Sequence, residues 1–281
     1  MATLTRAGRP IQPPIRGRSP VVIAVAAVLA LFLALPVVAL VARGVLGGAL
    51  TGLPPGGPVI VALGLSLATT ALSLAVSVSL GLPLAMLLAR GRFRGSWLVE
   101  AIVDLPIVMP PAVAGLALLL VFGRRGLLGG VLEPLGLAIP FTTVALVMAQ
   151  TFVSAPFFIR SARTGIAAVD HDLEDAARVD GGSEWGVFRR ITLPLAAPAL
   201  AAGLVMTWAR SLGEFGATIM FAGNVEGRTQ TLPLVVYSEF QAGDLDSSVA
   251  AATILILAAL GVLVAVRVLH WGRALDARSV A

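Results

Sequence analysis

Runs of about twenty apolar residues recur along the chain, and they limit its fold more than any other feature. The first run, residues 21–41, contains no charged residue. As a helix rising 1.5 Å per residue, such a run spans the bilayer hydrocarbon core of about 30 Å. In the whole chain 58% of residues are hydrophobic and 12% are charged, which is far more apolar than soluble domains are. We therefore predict an all-α integral membrane protein.

Six membrane-spanning segments are predicted, within a membrane domain at residues 20–272. A cleaved signal peptide is the alternative for the first, but its apolar part would have about 7–15 residues before a small-residue cleavage site. We favour an uncleaved helix. Residues 1–19, rich in Arg, Gly and Pro, are predicted to be a disordered tail, and 273–281 a second tail. The predicted spans are 21–41, 59–89, 102–122, 141–159, 196–221 and 249–269.

The arginines are distributed unequally between the two sides of the predicted membrane domain. If the amino terminus is cytoplasmic, fifteen arginines lie at the cytoplasmic face and four outside, with Arg210 inside the membrane. An excess of basic residues marks cytoplasmic loops. We therefore predict a membrane protein with both termini in the cytoplasm. The basic charge is topological in origin, and no nucleic-acid partner is expected.

Several residue types that carry chemistry are missing or scarce. Cysteine is absent, which excludes disulfides and thiolate chemistry. Lysine is absent too, so a Walker A phosphate loop is excluded. Only His171 and His270 are available for histidine chemistry. We predict no catalytic residues, no metal site and no cofactor bound by this chain.

The longest strongly polar interval between apolar segments is 169–195. Asp170 is placed to cap a short helix at 171–179, whose acidic first turn suits the helix dipole. Gly181 and Gly182 end that helix. Ser183 is placed to cap a second helical turn carrying Trp185 and Phe188, before Leu193 and Pro194 open the next apolar segment. The pattern predicts a helix-turn-helix suited to docking on another protein.

The spacing in this interval resembles the cytoplasmic EAA loop of bacterial ABC-importer permeases. Asp-Ala-Ala at 175–177 is followed at the family's intervals by Gly181, Ile191 and Leu193-Pro194, although the expected Glu is Asp175, with Glu174 one place early. In that family the loop forms coupling helices that sit in a groove of the ATPase subunit. We define residues 161–194 as the coupling loop. The coupling residues implied are Glu174, Asp175, Ala176, Ala177, Gly181, Trp185, Phe188, Ile191, Leu193 and Pro194.

The fifth predicted span contains two opposite charges, Arg210 and Glu214. Each costs about 2.5–3.5 kcal/mol at the centre of a membrane helix, so each should face protein or a water-filled path. Their spacing of four places them on one helix face, close enough to pair. Two interpretations remain open. The pair locks helices together, or Arg210, Ser211 and Thr218 line the translocation path as donors to an anion, with Glu214 limiting its affinity.

The sequence around this pair resembles the permeases of molybdate, sulfate and tungstate importers. The string G-E-F-G-A-T at 213–218 and T-Q-T-L-P-L at 229–234 are similar to the molybdate group, and D-L-P-x-x-x-P-P at 104–111 is typical of anion-importing permeases. The resemblance implies the type I ABC-importer permease fold with six transmembrane helices in the bacterial cytoplasmic (inner) membrane. It also implies a homodimer in membrane lipid, two cytoplasmic ATP-binding subunits that hold ATP and Mg²⁺, and an extracytoplasmic oxyanion-binding protein.

Three alternatives differ in their sequence support. A sulfate or tungstate permease would share the same fold. An ion-coupled secondary transporter or channel would work without an ATPase, but no internal repeat supports two inverted halves. A membrane enzyme would need a nucleophile-base or metal-ligand constellation, and the acids at 170–175 are more often helix caps. The resemblance favours the permease of an ATP-driven molybdate importer, with a sulfate or tungstate permease as the alternative.

Overall fold

The computed structural model describes residues 20–91 and 93–279, without the side chains of 266–279. The predicted tail 1–19 lies outside the described residues. All regular structure in the described part is helical. The helices are α1 (Pro20–Leu46), α2 (Pro58–Arg90), α3 (Ser96–Val108), α4 (Pro111–Phe122), α5 (Gly129–Leu132), α6 (Thr143–Ala167), α7 (His171–Val179), α8 (Glu184–Val187), α9 (Leu193–Leu212), α10 (Gly216–Phe221), α11 (Leu232–Ala242) and α12 (Leu245–Ser279), with a π-helical turn at Phe188–Thr192.

The six predicted spans correspond to long apolar helices of the described region. Five stretches are long and apolar enough to cross a membrane, and the bent pair α3 and α4 gives a sixth. The five are Pro20–Leu46, Pro58–Arg90, Thr143–Ala167, Glu184–Leu212 and Leu245–Ala265. The prediction of an all-α chain with six spans is thus confirmed when the bent pair is counted as one. The backbone of α12 continues to Ser279, so most of the tail predicted at 273–281 is helical.

The third predicted span, 102–122, is two helices and not one. α3 and α4 meet at 119°. Met109 and Pro110 between them are extended, with ψ of 135° and 134°. Each precedes a proline, which disfavours helical backbone at the residue before it, and the two prolines offer no N–H to continue the hydrogen-bond ladder.

The fifth predicted span, 196–221, is also interrupted. α9 ends at Leu212, and the short α10 begins at Gly216. Gly213 and Gly216 flank the break, and glycine within a helix is less favourable than alanine by about 1 kcal/mol. The predicted external segment that follows, 222–246, contains α11, whose Leu232, Leu234 and Val235 are fully buried. The sequence prediction missed this packed helix.

The core of the chain is centred on α6, which packs between α2 and α9. α2 carries buried hydroxyl residues, of which Ser73 accepts a hydrogen bond from Thr151 of α6 at 3.1 Å and Ser66 accepts one from the Leu232 amide of α11 at 2.8 Å. Small hydroxyl residues of this kind allow membrane helices to pack closely. The buried hydroxyl residues of α2 are Ser66, Thr69, Thr70, Ser73 and Ser77.

The first helix lies at the edge of this core. α1 is exposed along almost its whole length and packs mainly against α12. Gly44 allows the approach, because a Cβ there would lie 2.1 Å from Oγ1 of Thr253. The apolar surface of α1 is suited to contact with lipid or another membrane helix.

Candidate functional site

The first helix of the coupling loop has the bounds predicted from its sequence. α7 runs from His171 to Val179. The Asp170 carboxylate accepts a hydrogen bond from the Asp172 amide at 3.0 Å, as expected of an N-cap. The helix is therefore specified locally, by a cap and an acidic first turn.

The turn after α7 depends on glycine. Gly181 has φ of +86°, in the left-handed region that other residues adopt only with strain. The Gly182 amide donates to the Ala177 carbonyl at 2.9 Å, which closes the end of the helix. Ser183 then accepts from the Gly186 amide at 3.2 Å and caps α8, as predicted.

The connection from α8 to α9 is a π-helical turn. Phe188 is buried, and its ring centroid lies 5.5 Å from that of Trp185. Trp185 itself is 69% exposed. π-Helical turns within α-helices are rare and are frequent at functional sites. α9 follows with Leu193 at its start and Pro194 in its first turn, where the missing N–H is no loss.

The residues assigned to ATPase coupling do not all face the same way. Glu174 and Phe188 are buried, and Leu193 packs against the apolar core of the membrane helices, while the others are exposed or partly buried. The exposed surface of the helix-turn-helix includes three large apolar side chains: Leu173, Val179 and Trp185. Asp175, Ala176, Gly181, Trp185 and Pro194 are exposed, while Ala177, Ile191 and Leu193 are partly buried.

Arg178 ties the two helices of the coupling loop together. Its Nη1 lies 2.6 Å from Oδ1 of Asp175, and its Nε lies 2.8 Å from Oε1 of Glu184. Hydrogen bonding to Glu184 is the main cause that raises the pKa of Arg178 above its ordinary value. The pairs are exposed to solvent, so they fix geometry more than they add stability.

The two neighbouring acids of α7 occupy opposite environments. The Asp175 side chain is 68% exposed, whereas that of Glu174 is 5% exposed and contacts Arg90 and Thr192. Sequence reasoning missed both partners. Arg90 counts in the sequence only as a topological charge, and no local spacing connects it with a residue 84 positions away.

The charged pair of the fifth span forms as predicted, but not on one continuous helix. Arg210 lies in the last turn of α9, and Glu214 follows the helix end. Their Nη1 and Oε2 atoms are 2.5 Å apart, and the other carboxylate oxygen accepts from the Ala217 amide at 2.7 Å. The carboxylate therefore joins the end of α9 to the start of α10.

The four residues assigned to the translocation path differ in how exposed their side chains are. Ser211, Glu214 and Thr218 are buried within the chain, and the Arg210 side chain is 27% exposed. Among the described residues, the Ser211 and Thr218 hydroxyls have no hydrogen-bond partner. The structure thus leaves Arg210 partly accessible at the surface of the chain and buries the other three.

The described residues contain no group of three or more His, Asp or Glu side chains arranged to hold a metal ion. Of the acids in 170–175, Asp170 caps a helix, and Glu174 and Asp175 form ion pairs.

Comparison with known proteins gives one family and a consistent set of relatives. Residues 81–275 match the family described as binding-protein-dependent transport system inner membrane component. The molybdenum transport system permease protein ModB of Haemophilus influenzae is 46% identical over 156 residues, covering 55% of this chain and 68% of the relative. The sulfate transport system permease protein CysT of Escherichia coli is 34% identical over 184 residues, 66% of each chain.

A solved structure shares the fold. It is a bacterial alginate ABC transporter in complex with an alginate pentasaccharide-bound periplasmic protein, with a TM-score of 0.67 and 19% sequence identity. The match covers 88% of this chain and 91% of the other. The similarity confirms the predicted permease fold.

Proposed function

The chain belongs to the family of binding-protein-dependent transport system inner membrane components, and from that membership we propose that it is the permease of an ATP-driven molybdate importer. It is a multi-pass inner-membrane permease subunit and not an enzyme, because ATP hydrolysis belongs to separate subunits of such systems. Molybdate is favoured over sulfate by the higher identity to the molybdenum permease, 46% against 34%.

The observation that carries this proposal is the shape of the coupling loop. Two short helices, held at a fixed angle by the Gly181 turn and the Arg178 pairs, present apolar side chains to the outside. Exposed apolar patches of this kind mark protein interaction sites. We assign the patch around Val179 and Trp185 to the groove of a cytoplasmic ATP-binding subunit.

The proposed assembly contains two copies of this chain, two ATP-binding subunits and an extracytoplasmic oxyanion-binding protein. ATP and Mg²⁺ are held by the partner subunits. When ATP binding closes the ATPase pair, the two coupling loops are drawn together and the path opens towards the binding protein. Hydrolysis and product release return the path to its inward-facing state. This chain supplies the path and the mechanical link, and it makes or breaks no covalent bond.

Arg210 is the residue of this chain that we place on the translocation path. A cation held at the protomer surface within a membrane span must face protein or water. Its pairing with the buried Glu214 leaves it partly neutralised. An oxyanion that meets it is attracted weakly enough to leave again, as transport requires.

Uptake measurements test the substrate. In liposomes containing this chain, its ATP-binding subunits and its oxyanion-binding protein, we expect ATP-dependent molybdate uptake that excess sulfate inhibits far less than excess tungstate or unlabelled molybdate. Stronger inhibition by sulfate would reassign the substrate to sulfate. Uptake that persists without the ATP-binding subunits would identify a secondary transporter or channel.

Labelling from outside the cell tests the orientation. In cells that produce this chain without its ATP-binding subunits, a single cysteine at Val179, which is 88% exposed, is expected to resist a membrane-impermeant thiol reagent while the cells are intact and to react after permeabilisation. A cysteine at Leu135, 67% exposed in the loop after α5, is the matched control and should react in both. Labelling of position 179 in intact cells would place the coupling loop on the wrong side for an ATPase.

A further inference from the structure

We propose that Glu174 is the positioning residue that fixes the coupling helix α7 to the membrane helices α2 and α9. This inference rests on the proposed coupling function. The Glu174 side chain is 5% exposed, although it lies in a short polar loop helix. A carboxylate is buried at such a place only when charged and hydrogen-bonding partners compensate for its lost hydration.

The first partner of Glu174 is Arg90, the last residue of α2. The Arg90 Nη2 atom donates to Oε1 of Glu174 at 2.7 Å. Its Nη1 atom donates to the Val169 carbonyl at 3.3 Å and lies 2.9 Å from a ring nitrogen of His171. The Arg90 guanidinium therefore holds the start of α7 in two ways: it contacts the side chains of His171 and Glu174, and it binds the backbone carbonyl of Val169 just before the helix.

The second partner is Thr192, which ends the π-helical turn before α9. Its hydroxyl donates to the same Oε1 atom of Glu174 at 2.6 Å. A single carboxylate oxygen thus connects the end of α2, the coupling helix and the beginning of α9. Removing one member of a buried ion pair leaves the other charge uncompensated, so this connection resists opening.

The connection has a mechanical consequence. A displacement of the exposed side of α7 is carried directly to α2 and α9, which pack on either side of α6. Among the residues that the structure describes, the Asp175 side chain bonds only to Arg178, within the coupling loop. Glu174 and not Asp175 therefore transmits the movement of the loop into the membrane helices.

The ratio of ATP hydrolysed to molybdate imported tests this assignment. We measure it in liposomes with the complete assembly and compare Glu174→Ala with the unsubstituted chain. We expect co-purification of the ATP-binding subunits to stay normal and the ratio to rise at least about three-fold, within the range by which single residues alter coupling. The matched control is Asp246→Ala, which removes the 3.9 Å ion pair to Arg43 between α12 and α1, away from the coupling loop, and should leave the ratio unchanged.

A normal ratio for Glu174→Ala in an intact assembly would overturn the proposal. If that variant does not assemble, Arg90→Gln, Glu174→Gln and the double variant replace it, since glutamine matches the shape of Glu174 and removes the charge of either residue while keeping a polar side chain. If Arg90 and Glu174 act through their shared contact, the double variant should raise the ratio of ATP hydrolysed to molybdate imported no more than the more severe single variant does. If the effects of the two single variants on this ratio multiply in the double variant, the residues act independently and the proposal is overturned. An unsubstituted chain that fails to bind the ATP-binding subunits would overturn the coupling function itself.

Discussion

Replacing Arg210 by alanine is expected to lower the free energy of unfolding by about 3 kcal/mol and to abolish molybdate uptake. The substitution leaves the Glu214 carboxylate, whose side chain is 0% exposed, without its cation. Breaking a buried ion pair by removing one partner costs about 3–5 kcal/mol, because the remaining charge stays desolvated. The midpoint of thermal unfolding in detergent and the uptake rate in liposomes measure the two effects.

A double variant separates the two roles that the sequence left open for this pair. Arg210→Gln with Glu214→Gln removes both charges but keeps groups that can hydrogen-bond across the break between α9 and α10. Stability should largely return, because no uncompensated charge is buried. If Arg210 meets the passing anion, uptake stays lost; if the pair only locks helices, uptake returns with stability. Normal stability and uptake in Arg210→Ala would exclude both roles.

Replacing Gly181 by arginine is expected to weaken assembly with the ATP-binding subunits while membrane insertion stays normal. Gly181 has φ of +86°, and a side chain there costs about 1–2 kcal/mol in strain. A Cβ at this position meets no atom of the protomer within 4 Å. The added guanidinium therefore extends outwards, into the surface proposed to dock in the ATPase groove. With each 1.4 kcal/mol changing affinity ten-fold, we expect binding to weaken at least about ten-fold.

Gly181→Asn is the matched control for this experiment. Asparagine adopts the left-handed region more readily than other non-glycine residues, and its side chain is short. We expect it to bind the ATP-binding subunits nearly as well as the unsubstituted chain. Co-purification from detergent extracts measures binding, and the amount of chain in washed membranes measures insertion. Undiminished co-purification of Gly181→Arg would show that the turn lies outside the ATPase contact.

The local signals in the coupling loop predicted its structure closely. Asp170 and Ser183 cap the helices that they were expected to cap, and Gly181 makes the turn between them. These features depend on hydrogen bonds within a few residues, so they can be predicted without knowledge of the fold. The same kind of reasoning placed Arg210 near Glu214.

Helix continuity was predicted less well in the apolar segments. Both the third and the fifth predicted spans are broken, at Pro110 and at Gly213. Hydropathy measures how apolar a segment is and not where its backbone bends. The prolines indicated the first break. The second break was not predicted, because Arg210 and Glu214 are four residues apart and approach each other across the break as they would on a continuous helix.

By itself, the sequence determined that the chain is helical and membrane-embedded and that it carries a capped polar helix-turn-helix between spans, because apolar length, caps and turns act over short distances. Only the tertiary structure decided which charged residues meet. Arg90 reaches Glu174 from the end of another helix, and Thr192 meets the same oxygen from the π-helical turn. Contacts between residues far apart in the chain depend on how helices pack, and no local pattern records that packing.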